Sequence, residues 1–198
     1  MTLPNKLTLL RIFLIPVMLV LFYVPWLSEN TVGATNISWL YLVEFIIFAV
    51  ASITDFFDGH IARSRNLITT FGKFADPLAD KMLVFSAMAI LMLDTRGVLP
   101  KGQGLVPMWV FVVMIIREFM VSGIRMLVAE KGVVIAAGKL GKLKTFTTMI
   151  AICVLFFSEA HIVVGYIGQV MIYIACLLTV LSGIEYFWNS RKVIFESM

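Results

Sequence analysis

IVVGYIGQVMIYIACLLTVLSGIEYFW, residues Ile162–Trp188, decides the fold class: 27 consecutive residues with one charged side chain, Glu185. At 1.5 Å of helical rise per residue, about 20 apolar residues cross the hydrocarbon layer of a bilayer. Five further runs work outward from it: Leu9–Leu27, Ile37–Ser52, Leu78–Leu93, Val106–Val128 and Phe146–Phe157. The fifth is short and reaches back toward Lys142; the second and third gain length if their helices also take in Thr54–Arg65 and Phe74–Asp80. The composition agrees, with 61% apolar and 14% charged residues and a mean hydropathy of +0.99. Soluble domains carry about 45–50% apolar and about 25% charged residues. A disordered chain, a nucleic-acid-binding tail and an ordinary soluble enzyme are excluded. The expectation is an all-α polytopic membrane protein of six transmembrane helices, one domain over residues 1–198.

The charges orient it. All 16 basic residues except Arg96 and Lys101 fall on, or project from, one side of the six-span arrangement. Cytoplasmic loops carry the Lys/Arg excess, so both termini are expected on the cytoplasmic side of the cell membrane. No cleavable signal peptide is evident, because Pro16 and Pro25 interrupt the first apolar run and no small-residue site follows it. Leu3, Leu7 and Leu10 recur at helical spacing ahead of Arg11. That pattern suits either a short interfacial helix or the cytoplasmic end of the first span. Cys153 and Cys176 lie inside apolar runs without metal or redox spacing and read as core-filling residues. His60 and His161 are too far apart for a histidine metal site.

Twelve acids remain. Most suit loops, tails or helix ends; Glu44 and Glu185 sit within apolar runs. Asp55, Asp58, Asp76 and Asp80 form a set. The first pair is spaced i, i+3 at the end of span two, and the second i, i+4 at the start of span three, so each pair shares a helix face. A short connection makes these helices antiparallel neighbours and lets four carboxylates converge. Bare carboxylates so close repel one another strongly, and hard divalent cations relieve that. Two such ions are a device for phosphoryl transfer. Gly59, Ala62 and Gly72 leave room for a ligand, and Arg63 and Arg65 offer charge to an anion. As helix caps, Asp76 before Pro77 fits, but capping accounts for one aspartate and not four.

The full pattern is Asp55-x2-Asp58-Gly59-x2-Ala62-Arg63-x8-Gly72-x3-Asp76-x3-Asp80. Its eight specified positions resemble the signature of the CDP-alcohol phosphotransferase family without a departure, and six spans resemble that family's membrane domain. The resemblance implies two Mg2+ or Mn2+ ions held by Asp55, Asp58, Asp76 and Asp80, with Asp80 also the general base. It implies a cytidine-diphosphate site that includes Asp58, Gly59, Ala62, Arg63 and Thr69, and a donor, CDP-diacylglycerol, whose tails belong at the bilayer edge. A homodimer is implied in the same way.

The acceptor is read from a second cluster. Arg117 and Arg125 lie within an apolar run, Glu118 stands between them, and Lys139, Lys142 and Lys144 follow Gly132 and Gly138. Ionisable residues in membrane helices face a functional cavity as a rule. Arginines and lysines beside a two-metal site suit an acceptor bearing phosphate, although lysines there also serve as anchors to anionic lipid. Leu3-Pro4-Asn5-Lys6-Leu7-Thr8, the stretch Arg117–Arg125 and Gly141–Thr145 resemble the bacterial branch of the family that uses sn-glycerol 3-phosphate. That resemblance adds Asn5 and Thr8 to the nucleotide pocket. Inositol phosphate and phosphatidylglycerol remain as other acceptors. A divalent-cation transporter remains as another class; it would set its acids at the bilayer midplane.

Overall fold

The structure, a computed structural model, describes residues 3–64, 70–94, 104–130 and 138–195, except for the side chains at 3–4, 55–64, 70–71, 73–74, 129–130, 139 and 192–195. The described residues form seven α-helices and one 3-10 turn, with no strand: α1 (Leu3–Phe22), α2 (Pro25–Glu29), α3 (Trp39–Ser64), α4 (Thr70–Leu93), α5 (Met108–Glu130), α6 (Lys139–Phe156) and α7 (Ile162–Phe195). By length and apolar composition, Asn5–Phe22 and Ile162–Arg191 each suffice to cross a bilayer, and Trp39–Thr54 is a shorter apolar stretch.

Several boundaries correct the sequence expectations. Leu3 to Phe22 is one continuous helix with Pro16 inside it, so the first residues are not a separate interfacial helix. Pro4 lies in its first turn, where a missing N–H costs nothing. The helix stops at Phe22, and Pro25 opens the short α2 rather than ending the first span. α4 begins at Thr70, so Pro77 is interior and Asp76 is not its N-cap. An interior proline removes one backbone hydrogen bond, and neighbouring helices in a membrane bundle can tolerate that loss. α3, α4 and α6 all extend beyond their apolar cores, to Ser64, Thr70 and Lys139.

The six long helices alternate in direction, and contacts at one end tie their connections together. The Ser38 N–H donates to Glu159 Oε2 at 2.6 Å, joining the α2–α3 turn to the α6–α7 turn. The Leu105 N–H donates to the Leu91 carbonyl at 2.8 Å, folding the approach to α5 back on α4. Gln169 of α7 reaches the Leu105 carbonyl at 3.5 Å. Gly33, at φ +58°, makes the tight turn before α3, a left-handed conformation that glycine adopts without steric cost. These connections are the ones poor in lysine and arginine.

The core lies between the helices and includes Ile15, Met18, Tyr41, Phe48, Leu83, Met88, Leu91, Val110, Ile152, Phe156 and Ile172. Tyr41 meets Phe156 edge to face, with centroids 5.9 Å apart. Both cysteines are free: Cys176 is buried in this core, and Cys153 packs against it half-buried. The outward faces are also apolar, with Phe13, Met108, Met126, Phe146 and Trp188 each more than 60% exposed. So much exposed apolar surface marks a contact with lipid or a partner rather than with water.

Candidate active site

α1 and α4 pack together with their N-terminal halves side by side. Thr8, buried on α1, donates its hydroxyl to Asp76 Oδ1 on α4. The Asp76 carboxylate therefore has a fixed orientation supplied by a neighbouring helix and not by its own cap. Asn5 and Arg11 are each three residues from Thr8 and share its face of α1. Arg11 is 1% exposed, so it belongs to the helix interface.

Asp80 stands one turn after Asp76, on the same face of α4. α3 packs on α4 and carries Asp55, Asp58, Gly59, Ala62 and Arg63 along its last turns. The side chains of those five residues lie outside the described residues, as does Thr69 entirely. Among the described residues no three metal-ligating side chains converge; the described half of the expected site is Asp76 and Asp80. Their chemistry fits the group expected there, because hard carboxylate oxygens suit Mg2+ or Mn2+. A hydroxyl donor behind one carboxylate is the kind of support that orients a metal ligand.

Asp80 also lines a cavity of about 770 Å3 enclosed by α4, α5, α6 and α7. Into the same cavity come Lys81 from α4, Arg117 and Arg125 from α5, and Lys142 and Lys144 from α6. The structure thus brings five cations to the carboxylate expected to act as base. Four of the five residues expected to bind the acceptor phosphate are among the lining; the fifth, Lys139, has its side chain outside the described residues. The size is within the range of small-molecule sites, about 300–1,000 Å3.

The cations are held in a defined array. Arg117 Nη1 donates to Glu118 Oε1 at 2.9 Å, and Nη2 to Ser182 Oγ at 2.7 Å. The Lys144 ammonium pairs with the same Glu118 oxygen. Lys81 donates to Ser122 Oγ and lies 3.9 Å from Glu118 Oε2. Arg125 extends over the ring of Tyr186, 5.9 Å from its centroid, within cation–π range. Gly183 makes the Arg117 arrangement possible, because a Cβ there would lie 3.1 Å from Arg117 Cγ. Gly138 does the same for Glu185, whose carboxylate oxygen would lie 2.9 Å from an added Cβ at the start of α6. A carboxylate is favoured beside that positive helix end.

Sequence reasoning places Glu118 between the two arginines without giving it a role, and the structure pairs it with Arg117 and Lys144; three further contributors are not legible there at all. Ser122, Ser182 and Tyr186 carry no charge pattern and enter the site only through packing of α5 and α7. Glu44 is buried on α3, does not line the cavity, and has no hydrogen-bond partner among the described residues.

Known proteins give the same picture. The family model for CDP-alcohol phosphatidyltransferase matches residues 1–181. A Bacillus subtilis protein named CDP-diacylglycerol–glycerol-3-phosphate 3-phosphatidyltransferase is 41% identical over 197 residues, covering 96% of this chain and 97% of its own. Proteins of that name from Rickettsia typhi and Salmonella choleraesuis are 38% and 35% identical, covering 93% and 95% of this chain and 94% of each of theirs. The family match over residues 1–181 and the near full-length similarity agree with the aspartate motif, and the chain belongs to the CDP-alcohol phosphatidyltransferase family.

Proposed function

We propose that this protein transfers the phosphatidyl group of CDP-diacylglycerol to sn-glycerol 3-phosphate, forming phosphatidylglycerophosphate and releasing CMP. The observation that carries this reading is the shared cavity: Asp80, on the aspartate face of α4, opens on the same space as Arg117, Arg125, Lys142 and Lys144. A phosphate monoester held by those cations presents its alcohol end toward Asp80. Asp80 accepts the proton of the C1 hydroxyl as its oxygen attacks the lipid-side phosphorus. The bond from that phosphorus to the bridging oxygen breaks, and CMP leaves with the electron pair. Asp55, Asp58, Asp76 and Asp80 would hold two divalent ions, Mg2+ or Mn2+, which when bound neutralise pyrophosphate charge. Thr8 keeps Asp76 oriented, and Asn5, Thr8, Asp58, Gly59, Ala62, Arg63 and Thr69 form the nucleotide side.

We read α1 and α3–α7 as six membrane spans, with the cavity and both termini on the cytoplasmic side, in a protein that works as a homodimer in the bilayer. The excess of Lys and Arg at that end supports the orientation. The test is an acceptor panel with purified protein and CDP-diacylglycerol, following CMP release. Glycerol 3-phosphate should support turnover; inositol phosphate and phosphatidylglycerol should not. Turnover with either of those but not with glycerol 3-phosphate overturns the assignment. Asp80→Asn should abolish turnover while CDP-diacylglycerol still binds, and near-normal turnover would remove Asp80 as the base.

A further inference from the structure

Gly138 is the N-cap residue of α6, with φ −63° and ψ 165°. Any residue adopts that backbone. Asn, Asp or Ser is preferred there, because its side chain accepts from the first free N–H groups of the helix. Glycine offers no such group, and α6 has no side-chain cap of its own. The reason is space. The carboxylate of Glu185, from α7, fills the direction in which a Cβ would point: an added Cβ would lie 2.9 Å from Oε2, 3.1 Å from Oε1 and 3.2 Å from Cδ. Glu185 has no ion pair among the described residues, and what it lies against is the start of α6. Lys142 closes the first turn of that helix, exposed and without an ion pair among the described residues. Lys144 follows, paired with Glu118. Both lysines line the cavity, as does Glu185.

We propose that Glu185 is the N-terminal cap of α6 supplied from α7, a positioning residue that fixes how Lys142 and Lys144 enter the acceptor cavity. This rests on reading the cavity as the acceptor site. A helix start carries partial positive charge, and a carboxylate beside it stabilises the first turn and little beyond. Lys142 lies in that turn and has no side-chain partner to hold it; Lys144 lies further in and is held by Glu118 as well. Without the carboxylate the first turn frays, and Lys142 loses its place before Lys144 does. The sign of the effect separates this role from direct electrostatics. A carboxylate acting on the acceptor phosphate through space would repel it, so its removal would tighten acceptor binding. As a cap, its removal weakens acceptor binding.

The measurement is the KM for glycerol 3-phosphate and for CDP-diacylglycerol, from CMP release, in wild type, Glu185→Ala, Gly138→Ser and the double variant. Glu185→Ala should raise the acceptor KM about fivefold, with kcat and the donor KM within about twofold. Gly138→Ser supplies a hydroxyl cap in the space the carboxylate has left, so the double variant should recover most of that loss. The gain should be confined to the Glu185→Ala background, as coupling between the two positions requires. A residue that only packs α7, or that touches the acceptor itself, would not be rescued by a hydroxyl on α6. An unchanged or lowered acceptor KM in Glu185→Ala, a double variant no better than Glu185→Ala, or an equal gain from Gly138→Ser in wild type overturns the proposal. If Glu185→Ala does not fold, Glu185→Met, which keeps the packing, takes its place with the same readings. If wild type releases no CMP with glycerol 3-phosphate, the functional reading fails separately. Equilibrium dialysis of radiolabelled inorganic phosphate then decides for Glu185: binding weakened by Glu185→Ala and restored by Gly138→Ser supports the cap, and any other pattern overturns it.

Discussion

Gly183→Ala perturbs the proposed acceptor site by a single methyl group whose collisions can be located in advance. A Cβ at Gly183 would lie 3.1 Å from Arg117 Cγ, 3.3 Å from Nε and 3.7 Å from Cδ. Favourable carbon contacts lie near 3.5–4.0 Å, so the Arg117 stem must retreat from α7 by about half an ångström. Ser182 is the neighbouring residue on α7, and its hydroxyl accepts from Arg117 at 2.7 Å. Retreat stretches that bond to roughly 3.2 Å, the outer edge of good N–H···O geometry. A charged hydrogen bond contributes about 1.5–3 kcal/mol; losing part of it, about 1 kcal/mol, is roughly a fivefold change in affinity. The expected result is a KM for glycerol 3-phosphate raised about fivefold with the donor KM within about twofold, measured by CMP release. Gly183→Leu should displace Arg117 fully and match Arg117→Met. Because both changes act on one side chain, adding Gly183→Ala to Arg117→Met should have little further effect. A folded Gly183→Leu protein with an unchanged acceptor KM would refute the placement of Arg117 in the acceptor site.

Three more outcomes follow from single contacts. Arg125→Ala should raise the KM for glycerol 3-phosphate about tenfold and leave the donor KM nearly unchanged, because a phosphate-binding arginine acts on one substrate; equal effects on both would argue against that role. Thr8→Val removes the donor to Asp76 Oδ1 and should raise the Mg2+ or Mn2+ concentration for half-maximal activity by about tenfold, as loss of a group orienting a metal ligand does; an unchanged metal titration would sink the link between α1 and the aspartates. Gly104→Ala would set a Cβ 2.0 Å from the Met92 carbonyl oxygen, a backbone clash that no rotamer relieves. A thermal unfolding scan should show a loss of stability of about 2 kcal/mol or more, with the KM values of the surviving protein unchanged.

What could be read from the chain beforehand depended on how local each signal is. Asp76 and Asp80 share a face of α4 because four residues make about one turn, and no tertiary information is needed to see it. The same holds for the end of α3 carrying Asp55 and Asp58. Arg117 and Arg125 stood out because charge is expensive in apolar runs, Lys142 and Lys144 because they cluster on the same side, and the structure lines one cavity with all four. Local signals misled where a residue's role is set by its neighbours. The Leu3, Leu7 and Leu10 pattern suited a separate interfacial helix as well as the end of a span, yet α1 runs unbroken from Leu3 to Phe22 and Arg11 is buried within the bundle. Asp76 before Pro77 had the pattern of a cap, yet α4 starts six residues earlier. Ser182 and Glu118 are 64 residues apart in the sequence numbering and are joined only through Arg117. No periodicity within α5 or α7 announces that bridge.

The distribution of polar groups along the helices separates the enzyme from the transporter alternative. A cation path through the bundle would carry ligands from one end of the helices to the other, with acids near the midplane. Here Asp76, Asp80 and the basic cavity occupy one end. Beyond them along α4, α5, α6 and α7 come Leu83, Ala87, Met88, Leu91, Val110, Ile152, Leu155 and Ile172, all buried in the core. An ion passing that layer would lose its hydration with no oxygen ligand from those side chains, at a cost of many kcal/mol. Glu44 lies on the α3 side and not along the cavity. A closed apolar floor beneath a charged cavity suits a reaction in which both the water-soluble acceptor and CMP enter and leave by one face while the lipid product stays in the bilayer. Proteoliposomes carrying the protein should therefore release CMP from CDP-diacylglycerol and glycerol 3-phosphate yet pass no Mg2+ or Mn2+ across the membrane. Metal flux without nucleotide would reverse the argument.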